Sequence, residues 1–224
     1  MTIDPNFSLK DLIFMAQGAA ITFALTIISG AIGTALGFLI GWARTSSSIL
    51  VVALLGAFID VIRSVPLIIQ FILFNSFMAI ADYPLDPFTS GIITLSVYIS
   101  GYVAEVVKAG IESVPRITRL AARGLGLTYL QDFFYVVVPI GVRTVFPSWT
   151  GLMLGVMKDT SLIAVLGATP PELLRASQIV ITRVQEPLLI LIGAGCFYFF
   201  MCAVITKINM RVERSWNITG STFK

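Results

Sequence analysis

There is no histidine anywhere in the 224 residues. Haem held by a proximal His, metal sites built on imidazole and His-based acid–base catalysis are therefore excluded. Charge is the next scarcity. Only 12% of residues are Asp, Glu, Lys or Arg, against roughly 25% in an ordinary soluble domain, so the chain cannot cover a globular surface with polar groups. Disorder needs low hydrophobicity and is excluded as well. Cysteine is limited to Cys196 and Cys202, six positions apart in an apolar run. At 3.6 residues per turn these two face different ways and cannot pair within one helix, so both are expected as buried thiols. No G-x-x-x-x-G-K-[ST] phosphate loop occurs, and no nucleophile arrangement stands out, which argues against ATP hydrolysis by this chain and against a membrane enzyme. The net charge of +3 gives no indication of nucleic-acid binding.

What is abundant is apolar sequence. Residues of the AVILMFWYC set make up 57% and the mean hydropathy is +0.93, which leaves a membrane protein. Uncharged stretches cover 12–43, 45–59, 64–81, 87–104, 144–171 (interrupted only by Lys158-Asp159) and 187–206. A span takes about 20 apolar residues, and the first stretch predicts a helix from about Met15 to Trp42. The 45–81 region reads either as two short spans turning at Asp60–Arg63 or as one long helix disturbed by Pro66. Its first half is short for a span, so five helices are favoured over six, with Pro66 as a kink that neighbouring helices make tolerable. The expected fold is an all-α membrane protein of about five transmembrane helices, one domain over 1–224 with its core at 15–210.

Lys and Arg set the orientation. With the N-terminus outside, Arg44, Lys108, the arginines of 116–143, Lys207, Arg211, Arg214 and Lys224 fall on the cytoplasmic side. Only Lys10, Arg175 and Arg183 fall on the outer side. A secretory leader is not expected, because residues 1–11 lack a basic n-region and carry Asp4 and Asp11.

The sizeable water-exposed segment is 109–143. Arg116, Arg119 and Arg123 are spaced i, i+3, i+7, and Ile117, Leu120, Ala121, Gly124 and Leu125 follow the same period on another face. Residues 116–125 thus predict a short amphipathic helix. Gly124 and Gly126 favour a break after it, Thr128 is placed to cap a second helix through Tyr129–Tyr135, and Pro139 is expected to end the segment. A basic helix of this kind either rests on anionic headgroups or docks on a protein.

LAARGLGL followed by Pro139 resembles the cytoplasmic loop of binding-protein-dependent ABC importer permeases. Ala121 and Ala122 match that loop's Ala pair, Gly126 its Gly and Pro139 its Pro, with Val136 and Val138 standing for an Ile and a Leu. RSVPLIIQ at 63–70, AEVVKAGIESV at 104–114 and KDTSLIAVLG at 158–167 are similar to motifs of the polar amino-acid branch. The resemblance covers about 15–210. It departs at Leu120, where the family has Glu, and at Ile117-Thr118, where it has Gly-Gln.

The resemblance implies a type I ABC importer permease in a bacterial cytoplasmic membrane, moving a polar amino acid by alternating access. It implies an ATP-binding subunit dimer that holds ATP and Mg, a second permease subunit (the same or a different chain) and an extracytoplasmic substrate-binding protein. No cofactor is expected on this chain itself. The coupling loop to the ATP-binding subunit would comprise Arg116, Arg119, Leu120, Ala121, Ala122, Arg123, Gly126 and Pro139.

Charges at bilayer depth cost at least ~2.5–3.5 kcal/mol each by insertion scales. Asp60 and Arg63, at i, i+3, are expected to meet on one helix face. Glu105 and Lys108 have the same spacing, and Lys158 and Asp159 point about 100° apart. These charges either fix helix packing or line a transport path. For an amino acid, Arg63 would suit the carboxylate through its planar fork. Asp60 or Asp159 would attract the ammonium, and Lys158, Thr160 and Ser161 complete the expected path. Glycines at 33, 37 and 41 and at 151 and 155 predict close helix approach, within the subunit or between subunits. The competing function is an ion- or proton-coupled carrier using Asp60, Glu105 and Asp159 as a relay.

Overall fold

The computed structural model describes residues 7–45, 48–167 and 169–220. Lys224, used above for orientation, and Asp4, used for the leader, lie outside them. The described residues are helical, with no strand. The elements are α1 (Leu9–Ala43), α2 (Ile49–Ser64), α3 (Leu67–Ile80), α4 (Pro87–Glu112), α5 (Arg116–Gly124), α6 (Tyr129–Asp132), α7 (Val138–Asp159), α8 (Leu173–Val184) and α9 (Pro187–Gly220). A π turn, Phe133–Val137, joins α6 to α7, and a 3-10 segment, Thr160–Leu166, follows α7. Four helical stretches are long and apolar enough to cross a membrane, and α2 with α3 makes a fifth if the bent pair is one span.

The differences from expectation have local causes. α1 begins at Leu9, not near Met15, because the Ser8 N–H and hydroxyl both donate to Asp11 Oδ2, at 2.8 and 2.9 Å. That pair caps the first turn, where a carboxylate also suits the helix dipole. Pro66 does more than kink a span: α2 and α3 meet at 105°. The residue before a proline is pushed out of the helical region, and the Val65 carbonyl is taken by the Gln70 side-chain amide at 2.8 Å. Pro139 does not end the segment. It lies in the first turn of α7, inside an unbroken helical run from Tyr129 to Leu166. The π turn just ahead of it widens the helix where the ring would otherwise meet a carbonyl. The stretch between the third and fourth spans is therefore shorter than 109–143, running from the end of α4 at Glu112 to the start of α6 at Tyr129. Cys196 is exposed and Cys202 half-buried, since the apolar stretch of α9 is only 11% buried.

Helix packing forms two compact units. The first comprises Met1–Ile32, Val65–Ser96 and Met153–Ile205. Its core joins Met15 and Ala19 of α1 to Leu173, Val180 and Val184 of α8 and to Ile190 and Ala194 of α9. Arg183 forms an ion pair with Asp11. The second unit comprises Gly33–Ser64, Val97–Leu152 and Thr206–Lys224. Its core is Ile111, Val114, Phe133 and Val137, with Phe38, Trp42, Val107 and Val138 packed on it. Trp42 stacks on Phe133 at 5.2 Å between centroids, and the Trp149 indole donates to the Thr34 hydroxyl at 3.1 Å.

Glycines set the closest approaches of the second unit. A Cβ on Gly37 would lie 2.6 Å from Val103 Cβ, and one on Gly41 2.6 Å from the Ala104 carbonyl oxygen. Here α1 and α4 touch as the glycine spacing predicts. α4 and α7 cross at Gly110 and Gly141, where a Cβ on Gly141 would lie 2.7 Å from the Gly110 oxygen. Gly151 and Gly155 meet nothing within 4 Å, so their face of α7 is left open.

Candidate substrate path and coupling surface

In the second unit, α2 carries Asp60 and Arg63, both exposed. They form no ion pair with each other. Arg63 lies instead over the ring of Tyr102, 5.2 Å from its centroid, and Tyr102 in turn packs against Tyr98 at 4.8 Å and 48°. A guanidinium held against an aromatic face keeps its donor edge free for a carboxylate. Tyr98 and Tyr102 were not expected at a site. Their only sequence signal is the i, i+4 spacing of two tyrosines within an apolar span.

The other expected pairs are also reassigned. Glu105 pairs with Arg44 from the end of α1, and Lys108 lies 3.9 Å from Glu112 one turn on. Arg44 binds in preference to Lys108 because the α1–α4 glycine contact brings the two helices close at that level.

In the first unit, Lys158 and Asp159 end α7 and Thr160 and Ser161 open the 3-10 segment. Lys158 is exposed, while Asp159 and Ser161 are half-buried. Thr160 is fully buried and its hydroxyl donates to the Met157 carbonyl at 2.8 Å. Lys158 therefore presents charge outward, while Thr160 serves the helix itself.

Glu172, just before α8, carries no exposed surface. Its two carboxylate oxygens accept the backbone N–H groups of Leu174 and Arg175, each at 2.7 Å. It thereby caps α8. Burial pushes its carboxyl up to about 7, against the opposing effect of those N–H groups. The Thr22 hydroxyl accepts the Leu173 N–H at 3.2 Å, which ties the same turn to α1. The sequence offered only a Glu after two prolines, and that did not single it out.

The coupling surface is α5 and the turn after it. Ala122 is buried, while Arg116, Leu120, Ala121 and Arg123 are exposed. Arg119 turns inward to Asp132, Nε to Oδ2 at 3.1 Å, and Asp132 has no exposed surface. Arg123 lies over the Tyr129 ring at 6.0 Å. Gly126 holds φ +90°, with no atom near a would-be Cβ, so glycine is required by conformation and not by space. Thr128 and Gln131 form a full capping box at the start of α6. Asp132 was missed, although it is the lone acidic residue between Glu112 and Asp159.

Apolar helices, charges on exposed helix faces and a basic amphipathic turn between spans together define a multi-pass membrane transport component. Residues 33–217 match the family described as binding-protein-dependent transport system inner membrane component, and the chain belongs to that family. The glutamine transport system permease protein GlnP of Escherichia coli (strain K12) is 32% identical over 206 residues, covering 91% of this chain and 93% of that protein. The L-cystine transport system permease protein TcyB of Bacillus subtilis (strain 168) is 30% identical over 202 residues, covering 89% and 85%. An amino acid ABC transporter crystallised with histidines is similar at TM-score 0.86 and 27% identity, covering 96% of this chain and 100% of that one. The inward-facing MetNI methionine ABC transporter, at 19% identity and TM-score 0.80, covers 93% and 99% and shares the fold.

Proposed function

We propose that this chain is the permease subunit of an ATP-driven importer of a polar amino acid. The observation that carries the proposal is the exposure of Asp60, Arg63 and Lys158 on helices otherwise apolar enough for a bilayer. Against lipid each would cost at least ~2.5–3.5 kcal/mol, so these faces meet a water-filled path or another subunit. Gly151, Gly155 and Lys158 follow i, i+4, i+7 on α7, which fits a partner helix approaching the open glycines. A second permease subunit, identical or not, supplies that helix. The relatives named for glutamine and L-cystine transport support an amino acid as cargo.

Arg63, held by Tyr102, receives the substrate carboxylate, and Asp60 three residues before it on α2 attracts the ammonium. α5 couples the path to an ATP-binding subunit dimer, which holds ATP and Mg. Substrate arrives from an extracytoplasmic binding protein. Energy enters only through the different affinities of these ligands for the inward- and outward-open states. The N-terminus is outside and the C-terminus cytoplasmic. The carrier alternative is disfavoured because Glu105, the middle of its relay, is engaged by Arg44. Uptake into proteoliposomes with the ATP-binding subunit tests the proposal. Uptake should need internal-face ATP and survive collapse of the membrane potential; uptake that follows the potential and ignores ATP overturns it.

A further inference from the structure

Arg143, near the α5 end of α7, is the last charge before the uncharged run 144–157, and Glu213 lies two turns past the uncharged run 187–206 of α9. Both stand at headgroup depth on the same side of a bilayer. With Pro147 and Trp216 they line a notch of about 130 Å³, and Trp is the residue type that belts the membrane–water boundary. Among the described residues, neither Arg143 nor Glu213 forms an ion pair. Lys207, Arg211 and Arg214 fall roughly 100–160° away from Glu213 around α9, so the notch holds one charge of each sign. Beside it, α1, α4 and α7 border a groove of about 260 Å³, walled by Phe38, Val103, Val106, Val142, Phe146 and Trp149 and free of polar surface. Phe146 links the two, since it lines the groove and packs edge-on against Trp216 at 4.8 Å between centroids. The open Gly151 and Gly155 fall about 180–220° from Val142 around α7. A partner helix seated on those glycines therefore leaves the groove to lipid.

We propose that the notch and the groove together hold one aminophospholipid, its phosphate on Arg143, its primary ammonium on Glu213 and part of an acyl chain along the groove. A cation and a carboxylate left apart in one notch match a zwitterion, and each contact is a charge-assisted hydrogen bond. A headgroup that ends in glycerol hydroxyls would leave Glu213 without a cation. Phe38, Val107, Val142 and Val145 line both this groove and the small cavity at Gly110 and Gly141. The acyl chain thus lies beside the α4–α7 crossing, where it fills space that no side chain of the unit occupies. Such a site is independent of the solute carried.

The full-length permease, purified in detergent and stripped of lipid, is titrated with dioleoyl phosphatidylethanolamine or dioleoyl phosphatidylglycerol, and native mass spectrometry counts the lipid retained. The readout is the change each variant makes, since Lys207, Arg211 and Arg214 attract anionic lipid elsewhere. Glu213→Gln should weaken phosphatidylethanolamine about 2- to 5-fold, the value of one partly exposed ion pair, and should not weaken phosphatidylglycerol. Arg143→Gln should weaken both lipids by a similar factor. Val106→Phe, which narrows the groove, should weaken both without changing their ratio, and Val106→Leu, milder for folding, should do so in part. Soluble glycerophosphoethanolamine, the headgroup without chains, should bind about 10-fold or more weakly than the lipid. Phosphatidylethanolamine affinity unmoved by both Glu213→Gln and Arg143→Gln overturns the proposal. A loss on Glu213→Gln that phosphatidylglycerol shares equally overturns the ammonium contact. Soluble headgroup that binds as tightly as the lipid, or lipid affinity indifferent to both Val106 variants, overturns the groove as the seat of the chain.

Discussion

Arg63, on the exposed face of α2, rests its guanidinium over the Tyr102 ring. A cation in an apolar run is conspicuous in any sequence, because its burial cost demands an explanation. Its platform is not conspicuous: Tyr98 and Tyr102 look like ordinary residues of an apolar span until packing puts the guanidinium over one ring. Arg63→Ala should lower uptake affinity roughly 10- to 150-fold, the value of a charge-assisted hydrogen bond of about 1.5–3 kcal/mol. Arg63→Lys should recover only part, since a point charge lacks the two-donor fork. Tyr102→Leu should raise the KM for uptake about 2- to 30-fold through loss of the cation–π contact. Tyr102→Phe should keep most of it, because the ring and not the hydroxyl faces Arg63. Uptake kinetics over a range of substrate concentrations measure all four, and a Tyr102→Leu variant with unchanged KM would remove the platform from the site. Asp60→Ala combined with Arg63→Ala separates binding from charge balance, since the structure shows no pair between them. Normal transport by that double variant would remove Arg63 as well.

Among the elements, the legible ones are those whose signal is local. The amphipathic period of 116–125, the glycines behind it and Thr128 before the next turn place α5 and the α6 cap where the structure has them. Pro139 misled because a proline rule speaks of one turn, and a π turn five residues long absorbs the conflict. Asp132 and Glu172 stayed hidden because burial is a property of three-dimensional neighbours. Gly126→Pro forces φ to about −65° where +90° is needed. It should uncouple ATP hydrolysis from uptake while the chain still inserts, read as substrate-stimulated ATPase activity in liposomes.

Glu172 gives α8 a pH dependence with a definite sign. Its folded carboxyl is raised from 4.5 to about 7, so the folded chain holds a proton that the unfolded chain releases. Stability from this group is fully present below about 4.5 and is lost as pH rises through about 7. Thermal unfolding midpoints should fall across that window, and Glu172→Gln should flatten the fall. An unchanged slope in the Gln variant would locate the dependence elsewhere.

At the scale of the whole chain, the spans were legible because uncharged length is what a bilayer selects. What the sequence could not show was the 105° break at Pro66 or the division into two compact units, both set by contacts between distant segments. Topology is tested with single cysteines in a background lacking Cys196 and Cys202, a precaution the exposed Cys196 makes necessary. A cysteine at Leu130 should resist a membrane-impermeant reagent applied to intact cells, and one at Tyr83 should react.

At the crossing of α4 and α7 the backbone of Gly141 lies against that of Gly110, and the side chain that reaches Gly110 beside it is Val145. Most helix contacts mesh like gear teeth, so sliding one over the other means lifting every side chain out of its slot. At this contact the tooth is Val145. So sparsely toothed a joint is expected to let one rod swivel against the other with little repacking beyond Val145, immediately beside the element on which the motor is proposed to act. Friction in such a joint is a matter of a single methyl group. A Gly141→Ala chain, its Cβ driven to 2.7 Å from the Gly110 oxygen unless the rods part, should still assemble yet turn over slowly, the permease equivalent of a seized hinge.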